Sequence, residues 1–183
     1  GRFPDLDKCV LAVAPHTSCI DFPLGLLIRS VLGEQINYVG KKSLFSGPFG
    51  WFFRWTGGAP VDRGKNTDTV KAVADIFRQR QVFRLALAPE GTRKKVDRWR
   101  TGFYYIALEA KVPVVLVAFD FGNKQIKISE PRLPSGDFEA DYAQYQTFYE
   151  GVKGYIPEYS WDHSALSGPI KYEMYRTDFH IPV

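Results

Sequence analysis

Residues 8–32 read KCVLAVAPHTSCIDFPLGLLIRSVL, and the rest of the chain is organised around this stretch. The apolar run Lys8–Ala14 is typical of a buried β-strand. Apolar side chains then recur at helical spacing across residues 24–32. The stretch therefore predicts a strand, a turn that carries His16 and ends near Asp21, and a helix.

The same patterns continue along the chain. They predict further strands at 36–39, 59–62, 82–88, 112–119 and 125–129, and helices at 24–32, 70–77, 101–111 and 138–149. Strands that alternate with helices favour an α/β fold. We therefore expect a single layered domain over residues 1–183, with a largely parallel central sheet flanked by helices.

Composition and charge indicate which kinds of partner and compartment suit this chain. The chain has 183 residues, a net charge of +4 and two cysteines, Cys9 and Cys19, which we expect to be free thiols in a reducing compartment. It contains no apolar run long enough to cross a bilayer. The mild positive charge suits an anionic membrane surface or an acidic substrate. Since no DNA- or RNA-binding motif is present, we expect no nucleic acid partner.

Residues 42–56 are unusually aromatic, and two interpretations of them remain open. A buried helical segment explains the apolar content, with breaks at Gly47-Pro48 and Gly50. An acyl-chain wall or a membrane-dipping face also explains it, because tryptophan and phenylalanine beside basic residues suit the lipid headgroup boundary.

Three polar motifs each directly follow a predicted strand: His16 with Asp21, Arg63, and residues 90–93. The carboxyl ends of parallel strands lie at one edge of a sheet, and ligands bind there. The sequence therefore predicts one site that contains all three motifs.

These motifs resemble those of the glycerolipid acyltransferases, the family of bacterial 1-acylglycerol-3-phosphate acyltransferases. Four stretches match in family order: His16-x4-Asp21, GAPVDR at 58–63, PEGTR at 89–93 and VPVV at 112–115. The chain departs from the family pattern near Leu116, where family members often carry another proline.

Histidine with a nearby carboxylate suits general base catalysis. Neutral His16 can take a proton from a hydroxyl, and Asp21 can orient the imidazole and stabilise its charged form. Asp21 alternatively caps the helix that follows. A rival hypothesis makes Cys19 a thiol nucleophile that His16 activates, and zinc held by His16 and Cys19 is a further alternative, although other ligands are lacking nearby.

The resemblance implies roles for the remaining motif residues. Arg63 and Arg93 would hold the glycerol phosphate of the acceptor, because guanidinium groups match phosphate oxygens. Glu90 would position an arginine or the acceptor hydroxyl, Gly91 would permit a tight turn and close ligand approach, and Thr92 would donate one more hydrogen bond. Alternatively, Glu90 and Arg93 form a structural ion pair.

Two expectations concern neighbouring backbone. We expect Val112 to Val115 to form a core strand that borders the site. Donors for the tetrahedral oxyanion are expected among the backbone N–H groups near Gly57 and Gly58 or near Thr17 and Ser18.

Together the resemblance implies an O-acyltransferase without a metal or cofactor. It would move a fatty acyl group from an acyl thioester, acyl-CoA or acyl-carrier protein, to a lysophospholipid acceptor, most simply 1-acylglycerol 3-phosphate. We expect a peripheral protein at the cytoplasmic face of a membrane surface, with a membrane-associating segment before Gly1. Transfer to a non-phosphate amphiphile such as an amino-acid lipid, and a catalytically silent lipid-binding module, remain alternatives.

Overall fold

The computed structural model describes residues 3–61 and 68–160. Six strands form one sheet in the order β3-β2-β4-β1-β5-β6. All neighbouring pairs are parallel except β5 and β6, which are antiparallel. Helices flank the sheet, so the predicted α/β fold with a largely parallel sheet is confirmed. None of the helices in these two ranges has the length and apolar character needed to cross a bilayer.

Strands and helices alternate along most of the chain, but two helices follow β2 and β6 follows β5 directly. The strands are β1 (Lys8–Ala14), β2 (Ile36–Lys41), β3 (Gly58–Val61), β4 (Phe83–Leu87), β5 (Val114–Asp120) and β6 (Gln125–Ile128). The helices are α1 (Asp21–Leu32), α2 (Lys42–Ser46), α3 (Gly50–Trp55), α4 (Thr69–Gln79), α5 (Gly102–Ala110) and α6 (Phe138–Phe148), and a short 3-10 helix covers Pro157–Tyr159.

Each face of the sheet has its own apolar core. On one face, strand residues such as Leu11 and Val115 pack against Leu24 and Ile28 of α1. On the other face lies a larger cluster, to which α4, α5 and α6 contribute. The strand β1 lies between β4 and β5 and therefore reaches both cores.

Local sequence signals explain where the helices begin and end. Gly33 adopts φ +69° and closes α1 in the left-handed conformation that glycine favours. The carboxylate of Asp68 accepts the backbone N–H groups of Val70 and Lys71 and caps α4. The predicted helical segment at 42–56 is split into α2 and α3 by Gly47-Pro48.

The sheet register places the polar motifs. Ala12 of β1 pairs with Leu87 of β4, and Ala14 pairs with Ala118 of β5. The turn that carries His16 and the turn that carries Glu90 consequently leave neighbouring parallel strands at the same edge of the sheet, which is the edge expected to carry a site.

Candidate active site

The turn between β1 and α1 brings His16 and Asp21 together. His16 Nδ1 lies 2.9 Å from Asp21 Oδ2. The aspartate is buried, whereas about a quarter of the histidine side chain, 28%, is exposed. Because an ionised carboxylate can only accept, Nδ1 carries the ring proton, and Nε2 is left as the nitrogen that can take up another. This arrangement suits a general base.

Asp21 also organises the turn itself. The same Oδ2 atom accepts the backbone N–H groups of Thr17 and Ser18, each at 2.9 Å. The residue at the helix N-cap is Ile20, and its side chain makes no capping bond. Asp21 therefore binds N–H groups that precede α1, and the alternative of a helix cap is wrong.

Those contacts overturn the expected oxyanion donors. The N–H groups of Thr17 and Ser18 already donate to the aspartate. The N–H of Gly57 donates to the carbonyl of Arg54, and Gly58 begins β3 at the edge opposite His16. A backbone group that is already bonded, or that lies across the sheet, cannot serve a carbonyl oxygen beside His16.

Glu90 joins the second motif to the first. Its Oε2 accepts the backbone N–H of His16 at 2.7 Å, and the residue is only 3% exposed. The pKa of Glu90 is raised to about 8, chiefly by burial; the bond from His16 acts in the opposite direction, and the charge of Asp21 adds to the rise. The carboxyl group is therefore largely protonated at pH 7.

The turn after Glu90 requires glycine. Gly91 adopts φ +64°, and a Cβ there would lie 2.6 Å from Nε of Arg100. The tight turn predicted for Gly91 is confirmed, and the group that approaches it closely within the chain is the Arg100 side chain. A side chain at this position would have to displace it.

The two residues after Gly91 are more exposed. Thr92 is half-buried and its hydroxyl oxygen accepts the N–H of Lys94 at 3.3 Å. Arg93 is exposed, and within the described ranges it makes no ion pair with Glu90. The alternative of a structural Glu90–Arg93 pair is therefore wrong. The other predicted phosphate ligand, Arg63, lies outside the described residues.

The fourth motif lies away from this edge. Val112, Val114 and Val115 lie in the buried core, as predicted. However, Val114 pairs with Val10 near the beginning of β1, four residues before Ala14. At about 3.3 Å per residue the motif is on the order of 13 Å from the carboxyl edge. The expectation that it borders the site is wrong, because a motif at the start of a parallel strand lies at the opposite edge.

The cysteines give no support to the rival chemistry. Cys19 is an exposed free thiol and Cys9 is a buried one, and burial raises the pKa of Cys9 to about 12. Among residues 3–61 and 68–160, no three His, Cys, Asp or Glu side chains are grouped as metal ligands.

The sequence did not predict that residues 149–156 contact the His16 turn. Thr17 Oγ1 accepts the N–H of Ile156 at 3.1 Å, and a Cβ on Gly154 would lie 2.6 Å from Thr17 Cγ2. Tyr149, at the end of α6, donates its hydroxyl to the carbonyl of Ala12 in β1 at 2.6 Å. The only signal was the helical spacing that ended at Tyr149.

Comparison with known proteins identifies the family of this chain. The family model described as Acyltransferase matches residues 3–120. The chain belongs to the Acyltransferase family. The match includes both turns, His16 with Asp21 and Glu90 with Arg93, whereas the segment from Tyr149 to Ile156 lies beyond it. The resemblance predicted from the motifs is thus confirmed.

Two curated relatives are similar to this acyltransferase-family chain. Human 1-acyl-sn-glycerol-3-phosphate acyltransferase beta is 29% identical over 124 residues, which cover 64% of this chain and 43% of the relative. The 1-acyl-sn-glycerol-3-phosphate acyltransferase of Streptococcus pneumoniae (strain ATCC BAA-255 / R6) is 28% identical over 120 residues, covering 64% and 44%. The aligned regions thus span less than half the length of these relatives. No solved structure matches the chain significantly.

Proposed function

We propose that this chain is an O-acyltransferase that moves a fatty acyl group from acyl-CoA or acyl-carrier protein to the hydroxyl of a lysophospholipid, with 1-acylglycerol 3-phosphate as the simplest acceptor. The observation that carries the proposal is the His16–Asp21 pair, with 2.9 Å between Nδ1 and Oδ2. The family and the names of its two relatives agree with this chemistry.

In the proposed reaction, Nε2 of His16 removes the acceptor's hydroxyl proton as the oxygen attacks the thioester carbonyl. The tetrahedral intermediate then collapses, the C–S bond breaks, and the imidazolium returns the proton to the departing thiolate. Asp21 stabilises the imidazolium between these two transfers. General base catalysis of this kind contributes about 10²–10⁴-fold. The transfer is direct and uses neither a covalent acyl-enzyme nor a metal.

A phosphate on the acceptor is the second part of the proposal. Arg93 is exposed at the same sheet edge as His16 and is always charged. We expect Arg93→Ala to raise the acceptor KM for 1-acylglycerol 3-phosphate and to leave the KM of a phosphate-free lyso-acceptor unchanged. An equal effect on both acceptors would contradict a phosphate contact and would favour a different acceptor such as an amino-acid lipid.

The deciding experiment measures free thiol release from acyl-CoA and acyl-carrier protein with a panel of lyso-acceptors. The proposal expects release only when an acceptor is present, and loss of release in His16→Ala. Leu133→Ala, an exposed change on the far side of β5, is the matched control. Release without an acceptor would indicate a hydrolase, and binding of lipid without any release would indicate a silent lipid-binding module.

We further propose that the protein acts as a peripheral protein at the cytoplasmic face of a membrane, where an amphiphilic acceptor resides. Cell fractionation followed by protease protection of intact membranes tests the location. Recovery of all the protein away from membranes would contradict it.

A further inference from the structure

Large apolar side chains are exposed along α3 and the residue before it. The exposed fractions are 68% for Phe49, 66% for Trp51 and 73% for Trp55. Among the large apolar side chains of residues 42–56, only Phe45 of the preceding helix α2 is buried. A surface helix normally turns its aromatic residues towards the core, so these indole rings are displayed in an unusual position.

The helix α1 is apolar on its outer side as well. Leu24 and Ile28 face the sheet and pack against the core. On the outer side, Leu27 is 65% exposed and Val31 is 86% exposed. An amphipathic helix normally carries polar residues on its exposed side. At these two positions α1 carries apolar residues instead.

The residue that follows α3 connects this helix to α1 and β2. The ring of Tyr38 in β2 contacts the ring of Phe22 in α1, with 5.2 Å between the centroids. The hydroxyl of Tyr38 is hydrogen-bonded to the hydroxyl of Thr56 at 2.8 Å. Arg29 of α1 donates to the carbonyl of Thr56, directly after α3. We call the exposed residues Leu27, Val31, Phe49, Trp51 and Trp55 the α1–α3 surface.

One end of this surface is joined to the candidate active site. The helix α1 begins at Asp21, and Lys41 and Lys42 lie at the carboxyl end of β2, the sheet edge that carries the His16 turn. The other end, with Trp55, lies shortly before Gly58, which begins β3 at the opposite edge.

The charge around α2 and α3 has one sign. Lys41, Lys42 and Arg54 are exposed, and no aspartate or glutamate occurs in residues 35–61. An interface between two copies related by a twofold axis would place these cations near one another without a compensating acid. Aromatic side chains beside lysine and arginine match the boundary between anionic headgroups and acyl chains.

From these observations we infer that the α1–α3 surface docks onto an anionic lipid bilayer. The indole rings of Trp51 and Trp55 enter the headgroup boundary, and Lys41 and Lys42 contact lipid phosphates. The inference rests on the membrane partner of the proposed function and names the face of the protein that meets it. The start of α1 at Asp21 links this face of the protein directly to the His16 turn.

The test uses the full 183-residue chain and vesicles of phosphatidylcholine, with or without phosphatidylglycerol. We expect binding to the anionic vesicles, quenching of tryptophan fluorescence by brominated lipid, and weaker binding when Lys42→Gln is introduced. The double variant W51A/W55A should bind at least about tenfold more weakly, because each indole that leaves water contributes about this factor. The matched control is L133A/Y159A, which removes two exposed apolar side chains elsewhere.

Activity towards a water-soluble, short-chain acceptor separates docking from catalysis. The inference expects W51A/W55A to keep the wild-type rate on that acceptor. Vesicle binding that depends on the two tryptophans supports the inference even if no acyl transfer is detected, in which case the proposed function alone fails. Equal binding of W51A/W55A and wild type, an absence of vesicle binding, or a dimer that W51A/W55A dissociates would each overturn it.

Discussion

The backbone N–H of His16 donates to Oε2 of Glu90 across 2.7 Å and joins the turn after β1 to the turn after β4. The Glu90 side chain therefore contacts the proposed base, His16, through the main chain of His16. Its interpretation as a substrate ligand stays a prediction, and the contact makes a positioning role testable against it.

Replacement of Glu90 should separate these two roles. Glu90→Gln retains a carbonyl oxygen that can accept the His16 N–H, so we expect near-normal kcat. Glu90→Ala leaves that N–H without its partner and should reduce kcat by about 10–100-fold, as for other residues that orient a functional group through a hydrogen bond. The acceptor KM should stay unchanged. A raised KM with normal kcat in Glu90→Ala would instead assign Glu90 to substrate binding.

Stability should depend on pH through the same carboxyl group. The pKa of Glu90 is about 8 in the folded protein and 4.5 as its ordinary value. Between these values the unfolded chain releases the proton that the folded protein retains, so the free energy of unfolding falls as pH rises. The slope contributed by Glu90 is at most about 1.4 kcal/mol per pH unit.

Denaturant unfolding of the wild type and of Glu90→Gln across this pH window measures that slope. The variant cannot ionise at position 90. The free energy of unfolding of the wild type minus that of the variant should therefore decrease as pH rises. A constant difference would show that Glu90 is already ionised in the folded protein.

The Asp21 carboxylate should determine which ring nitrogen of His16 carries the proton. In Asp21→Asn the side-chain oxygen can still accept N–H groups of the turn, while the amide no longer requires a proton on Nδ1. We expect kcat to fall by about 10³–10⁴-fold, as when a similar triad loses its carboxylate. Nitrogen NMR of the histidine ring should show the altered tautomer. Normal activity with an altered tautomer would remove Asp21 from the catalytic machinery.

Gly154→Ala should disturb the turn from outside the region that matches the family. The new Cβ would lie 2.6 Å from Thr17 Cγ2, so one of the two segments must shift. We expect a loss of about 1–3 kcal/mol in the free energy of unfolding, and a lower kcat well below the melting temperature. Gly47→Ala is the control, because a Cβ there meets nothing within 4 Å. If Gly154→Ala lowers stability alone, the segment supports the fold without positioning His16.

Secondary structure was predictable where the pattern was strong. The bounds of β1 were predicted as observed, and the predicted helix at 24–32 ends where α1 ends. The start of α1 was predicted too late, because the apolar spacing begins at Leu24 whereas the helix begins at Asp21. Glycine and proline broke residues 42–56 into two helices, because neither residue continues a regular helix easily.

By itself, the sequence determined the alternation of strands and helices, the order of the motifs and the spacing that lets His16 reach Asp21. These features depend on residues a few positions apart. Only the tertiary structure decided that Glu90 contacts the His16 backbone, that Gly154 and Ile156 hold Thr17, and that the VPVV stretch lies at the opposite edge. Strand order and register create those contacts, and the burial of Glu90, which a local pattern does not specify, raises its pKa.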